Sequence, residues 1–92
     1  MRAIEATTQF KRDFKREKKG RYRTTVTADL EAVIAMLAKD DVLPASNADH
    51  ALSGAYKDCR DCHIHPDLVL IYAKRDPSTL TLIRIGSHSE LF

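Results

Sequence analysis

The apolar residues of this chain keep two different periods, one in each half, and few folds accept both. In the first half Phe10 and Phe14 stand four apart, and Val26, Leu30, Val33, Ile34 and Leu37 recur at offsets of four, three, one and three. That is the stripe of an amphipathic helix. In the second half Leu68-Val69-Leu70-Ile71-Tyr72 is an apolar run short enough for a strand buried on both faces, and Thr79 to Ile85 alternates. The chain is thus expected to place helices first and strands afterwards.

The boundaries follow from local chemistry. Ile4 and its neighbours read as a short first strand, and Thr7 or Thr8 can cap a helix that ends before Gly20. A second helix is expected from about Arg23 to Lys39, stopped by Asp40, Asp41 and Pro44. Pro44 to Gly54 reads as a connecting loop containing His50. Lys57 to Ile64 is a candidate strand, with turns at His65-Pro66-Asp67 and Asp76-Pro77-Ser78. Strict alternation would point Leu80, Leu82 and Arg84 one way and Thr81, Ile83 and Ile85 the other. A guanidinium in line with two leucines must reach solvent or meet an anion, because burying it unpaired is expensive.

With 92 residues the chain can bury roughly 60–65% of its unfolded surface, enough for one core and one domain spanning 1–92. No apolar run is long enough to cross a bilayer and the N-terminus lacks a signal-like core, so no membrane partner and a cytoplasmic address are expected. The net charge of +2 hides an asymmetry. Residues 1–25 hold nine Lys or Arg against Glu5, Asp13 and Glu17, a net +6, while the remainder carries −4. Such a patch suits an RNA backbone or an acidic protein, or is simply a solvated helix face. Lys11, Arg12, Lys15, Arg16, Lys18 and Lys19 are its candidate RNA-binding residues.

The chemistry-bearing residues crowd into the second half: His50, Arg60, Asp61, His63, Asp67, Arg84 and His88. Imidazoles, a carboxylate to orient them and an arginine to meet an oxyanion are what metal-free phosphodiester cleavage needs. Each has a duller reading. A lone histidine is usually a hydrogen-bonded surface group, Asp67 after Pro66 suits a turn, and Phe92 can plug a core instead of stacking on a base. Arg60 and Asp61, adjacent in a strand, would face opposite sides and are not expected to be catalytic. Cys59 and Cys62 with His63 and His65 invite a zinc reading. Four donors within seven residues and no glycine knuckle disfavour it, as do strand cysteines pointing opposite ways. Reduced, partly buried thiols are the simpler account, and no metal or cofactor is expected.

The segment DHALSGAYKDCRDCHIHPDLVLIY with the closing LTLIRIGSHSELF resembles the YafQ group of the RelE/ParE toxin superfamily. Leu52-Ser53-Gly54, Arg60-Asp61 with His63, Pro66-Asp67, Leu70-Ile71-Tyr72, Arg84, Gly86, His88 and Leu91-Phe92 carry the resemblance. It implies an α+β fold in which two N-terminal helices pack on a small, mostly antiparallel sheet. It further implies ribosome-dependent cleavage of messenger RNA, restrained by an antitoxin protein with which an otherwise monomeric toxin forms a hetero-oligomer. It also places His50, His63, Asp67, Arg84, His88 and Phe92 at the active surface. Cleavage by 2′-hydroxyl attack would then use His50 or His63 as base and His88 as acid. Asp67 would be a proton-handling or orienting carboxylate, and Arg84 the phosphate clamp. The position after Asp67 is aromatic in the best-known relative, whereas this chain has Leu68, which puts stacking from that point in doubt. Two rivals stand beside this reading: a gyrase-inhibiting toxin of the same superfamily without nuclease activity, and a basic nucleic-acid-binding module.

Overall fold

A five-stranded sheet in the order β1-β5-β4-β3-β2 carries two helices on one face. Its elements in the computed structural model, which describes residues 1–92, are β1 (Ala3–Ala6), α1 (Thr8–Glu17), α2 (Val26–Ala38), β2 (His50–Ala51), β3 (Arg60–His65), β4 (Leu68–Ala73), β5 (Thr79–Gly86) and α3 (His88–Leu91). β1 lies parallel to β5, and every other pairing is antiparallel. Thr7 caps α1, its Oγ1 accepting from Phe10 N–H at 2.9 Å. The stripe of α2 packs as its spacing predicts, with Val26, Leu30, Val33 and Leu37 buried. That helix starts three residues later than its periodicity suggests, because 21–25 form turns. The 44–54 segment is more ordered than a loop: it holds a 3-10 turn, Ala45–Asn47, and the two-residue strand β2.

β4 is the middle of the core, buried at all six positions. Leu68, Leu70 and Tyr72 meet the helices, while Val69, Ile71 and Ala73 pack with Cys59 and Leu91 on the other face. Each such buried aliphatic side chain contributes about 1.5–3 kcal/mol relative to exposure. The 3-10 turn Gly54–Tyr56 and the four-residue α3 cover that second face.

The alternation expected of β5 fails at one residue, and the failure matters. Tyr72 pairs with Leu82 but Ile71 pairs with Arg84, so Ile83 is an extra residue in a β-bulge. Leu80 and Leu82 face the helices, Ile83 packs on the opposite face, and Ile85 returns to the helix side. Arg84 therefore does not follow the two leucines: it sits opposite Ile71, on the α3 face. An inserted residue shifts every later side chain by one step, which a period-two reading cannot anticipate.

Beyond Leu82 the outer edge of β5 has no strand beside it, since β1 ends at Ala6. Helix α1 supplies the missing partners. Thr7 Oγ1 donates to Ile83 O at 2.7 Å, Asp13 Oδ2 accepts from Ile85 N–H at 3.3 Å, and Arg16 Nη2 donates to Ile85 O at 3.0 Å.

Candidate active site

Strand register brings the first imidazole to its carboxylate. β2 pairs with β3 so that His50 lies opposite Asp61, and Asp61 is 1% exposed. His50 Nδ1 is 2.8 Å from Ala48 O and 3.0 Å from Asp61 Oδ1. Both neighbours are acceptors, so Nδ1 must carry a proton and the neutral ring keeps its lone pair on Nε2. The N–H aims at Ala48 O, which leaves Asp61 Oδ1 without a well-aligned donor. Burial pushes the Asp61 carboxyl above its ordinary value, and the fields of His50, His63 and His88 pull the other way without cancelling the rise. Asp49 anchors the segment carrying His50, since its Oδ1 accepts from the buried Tyr72 hydroxyl at 2.7 Å and from Arg60 Nε at 3.2 Å. Arg60 thus pairs with Asp49, and it faces away from Asp61 as strand geometry requires.

Around Asp61 the rings form a chain of contacts. His63 and His88 have centroids 5.2 Å apart, His88 and Phe92 5.8 Å, and Phe92 meets Tyr56 edge-on at 6.0 Å. His88 and Phe92 are placed by α3, which starts in a capping box: Ser87 Oγ accepts from Glu90 N–H, and Glu90 Oε1 accepts from Ser87 N–H at 2.9 Å. No helix is expected here from the sequence, although the Ser87-x-x-Glu90 spacing is the signal that could have shown one. Gly86 just before it leaves room for Arg16, since a Cβ there would lie 2.8 Å from Arg16 Nη2 and 3.3 Å from Leu91 Cδ2 and would push the guanidinium aside.

The anion that Arg84 requires comes from α1. Arg84 Nε and Nη2 donate to Asp13 Oδ2 and Oδ1 at 2.9 and 3.0 Å, a two-pronged fork on a carboxylate with no exposed surface. Burial alone would raise the Asp13 pKa, but donors from Arg84, Gln9 and Ile85 outweigh it and hold the carboxyl below the usual range. The Asp13 hydrogen bond, with help from the Tyr56 oxygen, raises the Arg84 pKa further. Arg84 pairs with Ile71 and His63 with Val69, both on the face that Leu91 of α3 covers, so guanidinium and imidazole open on the same side of the sheet.

Not every expected residue joins this group. Asp67 lies exposed in the β3–β4 turn, outside the hydrogen-bonded contacts of the imidazoles. The carboxylate that stands among the rings is Asp61, which the sequence reading set aside. Leu68 is a core residue at 1% exposure and offers no stacking surface. Lys11, Arg12, Lys15, Lys18 and Lys19 are exposed on and just beyond α1. Arg16 differs from them: its guanidinium is engaged by Asp13, Glu17, Glu90 and Ile85 O within the chain. An open cleft of about 520 Å³ begins at His63 and is lined by Ser46, Asn47, Ile64, His65 and Pro66. Cys59 and Cys62 pack on opposite faces of the sheet, and burial pushes the Cys62 thiol up to about 12. No three of the His, Cys, Asp and Glu side chains are grouped as metal ligands.

Comparison with known proteins gives a consistent result. Residues 2–92 match the family model described as "Bacterial toxin of type II toxin-antitoxin system, YafQ". The mRNA interferase toxin YafQ of Escherichia coli K12 is 36% identical over 92 residues, covering 99% of this chain and 96% of its own. The crystal structure of YafQ from Escherichia coli BL21(DE3) superposes with a TM-score of 0.86 at 33% identity, covering 100% of this chain and 99% of that one. YafQ in the Escherichia coli DinJ-YafQ complex gives 0.85 at 34% identity, again over 100% and 99%. A metal-bound toxin from Helicobacter pylori gives 0.84 at 40% identity over the whole of both chains.

Proposed function

The chain belongs to the YafQ family of bacterial type II toxin–antitoxin toxins, and from that premise we propose that it is an endoribonuclease that cuts messenger RNA on the ribosome by metal-free acid–base catalysis. The observation that carries the reading is the meeting of His63 and His88 at 5.2 Å, with Asp61 and His50 behind them and Arg84 on the same side.

In this mechanism the RNA performs the displacement itself. The 2′-hydroxyl gives its proton to His50 Nε2, the ring atom left free by the Nδ1 contacts, and O2′ attacks the adjacent phosphorus. Asp61 favours the imidazolium that results. The crowded phosphorane carries extra negative charge, which the His63 ring and the outward N–H groups of Arg84 meet. His88 then protonates the departing 5′-oxygen, leaving a 2′,3′-cyclic phosphate and a 5′-hydroxyl. Asp67, at the same end of the sheet, is assigned contact with the RNA as it enters rather than proton transfer. Phe92, 57% exposed, is a platform for a base.

The exposed Lys11, Arg12, Lys15, Lys18 and Lys19 would meet ribosomal phosphates, and Arg16 would support them from within the helix. The DinJ-YafQ complex supports an antitoxin as the protein partner. No helix is long and apolar enough to cross a membrane.

The test is single-turnover cleavage of a message with and without ribosomes, followed from pH 5 to pH 9. Paired imidazoles acting as base and acid predict cleavage only with ribosomes and a bell-shaped rate profile. A flat profile would remove histidine acid–base chemistry. Phe92→Ala separates stacking from packing. It should cost less than about 1 kcal/mol in a thermal melt, as expected of an exposed side chain. Cleavage should fall by about tenfold or more, the size of one lost base stack. A large stability loss with unchanged cleavage would make Phe92 a core residue.

A further inference from the structure

We propose that Asp13 of α1 is a positioning residue for RNA cleavage, holding the Arg84 guanidinium in the one orientation that turns its free edge toward the scissile phosphate. The proposal rests on the ribonuclease reading of Arg84 and goes beyond it in naming the group through which α1 acts.

Asp13 collects five donors. Oδ1 accepts from Arg84 Nη2, Arg16 Nη1 and Gln9 Nε2 at 3.0, 3.0 and 3.1 Å, and Oδ2 accepts from Arg84 Nε and Ile85 N–H at 2.9 and 3.3 Å. A monodentate contact would let a guanidinium pivot, whereas the fork fixes both its plane and its direction. The fork consumes the Nε and Nη2 edge, so the Nη1 edge and the second Nη2 proton are the donors left for the Tyr56 oxygen and a ligand. A buried ion pair is commonly replaced by apolar residues at no loss, so its presence is weak evidence of stabilisation, and the geometry of the fork carries the proposal.

The same turn of α1 reaches the other end of the site. Arg16, bound to Asp13, also lies 3.1 Å from Glu90 Oε2 and donates to Ile85 O, and Glu90 caps the helix that carries His88. Asp13 thus orients Arg84 directly and, through Arg16, lies next to the mount of His88.

The experiment is a double-mutant cycle on the purified full chain with ribosome-bound message, using Asp13→Asn, Arg84→Ala and both together. Rates are taken per folded molecule, with the folded fraction read from circular dichroism. Asp13→Asn should lower the single-turnover rate about 10- to 100-fold, the cost of a misplaced reacting group, with the half-saturating ribosome concentration unchanged. Added to Arg84→Ala it should cost nothing more. A folded Asp13→Asn protein cleaving at the wild-type rate overturns the proposal, as do losses that multiply. An Arg84→Ala protein with full activity would instead sink the parent reading of Arg84, and this proposal with it. If Asp13→Asn does not fold, nitrogen-15 NMR of wild type decides. Distinct, slowly exchanging Arg84 Nη protons are expected, and a single averaged signal like that of a free arginine overturns the lock.

Discussion

Replacing His88 by alanine is expected to lower single-turnover cleavage of ribosome-bound message by about 10²- to 10⁴-fold, the contribution of a positioned general acid. The 5′-oxygen of the leaving nucleotide is a poor leaving group without a proton, and His88 is the ring that α3 holds against His63. The side chain is exposed and lies outside the core, so unfolding free energy should move by no more than about 0.5 kcal/mol. Ribosome binding should persist, because the basic residues of α1 are untouched. Transcript ends mapped after induction of wild type and variant, with a melting curve for each, check all three statements. A variant that still cuts at half the wild-type rate removes His88 from the chemistry.

Arg84→Ala should produce two separable losses. Cleavage falls by about 10²- to 10³-fold, the usual cost of removing one donor to a developing oxyanion. Stability falls by about 2–3 kcal/mol at pH 7, because Asp13 keeps its burial and loses its strongest partner, and Arg84 is itself partly exposed. The pH dependence follows from the sign of the Asp13 shift. In wild type the carboxyl is held below its ordinary value, so its stabilisation is present above about pH 3.8, the unfolded value, and disappears as pH drops through the lower folded value. In the variant the folded value moves up from that of wild type, because burial still raises it and the Arg84 contribution is gone, so the variant loses less stability than wild type as pH falls toward 4. The gap between wild type and variant should therefore narrow in acid. Urea unfolding at pH 7 and pH 4 measures it, and an equal deficit at both values would show that Asp13 is not the stranded charge.

The sequence reading succeeded where one segment carries its own signal. The α2 stripe, the Thr7 cap, the doubly buried β4 and the opposed faces of Cys59 and Cys62 each follow from spacing that the local backbone enforces. It went astray where a single residue breaks a period. The bulge at Ile83 turned Arg84 to the other face, and no residue type in LTLIRIG marks that point. Arg16 counted as one more surface cation because its partners, Glu90 and the Ile85 carbonyl, lie across the fold. That Arg60 and Asp61 face opposite sides is legible from their adjacency, but that the imidazoles stand on the Asp61 side depends on the β2–β3 register, which no local spacing marks.

By itself the amino-acid order determined the positions of most helices and strands and the chemical types available to a site. Those properties depend on side-chain period, caps and chemical type, all of which act over a few neighbouring residues. Only the tertiary structure decided which carboxylate serves which cation: Asp13 reaches Arg84 across 71 residues of chain, and His50 meets Asp61 through a two-residue strand pairing. The physical reason is that electrostatic partnership depends on distance and burial in space, and strand register and bulges set both without leaving a periodic trace in the chain.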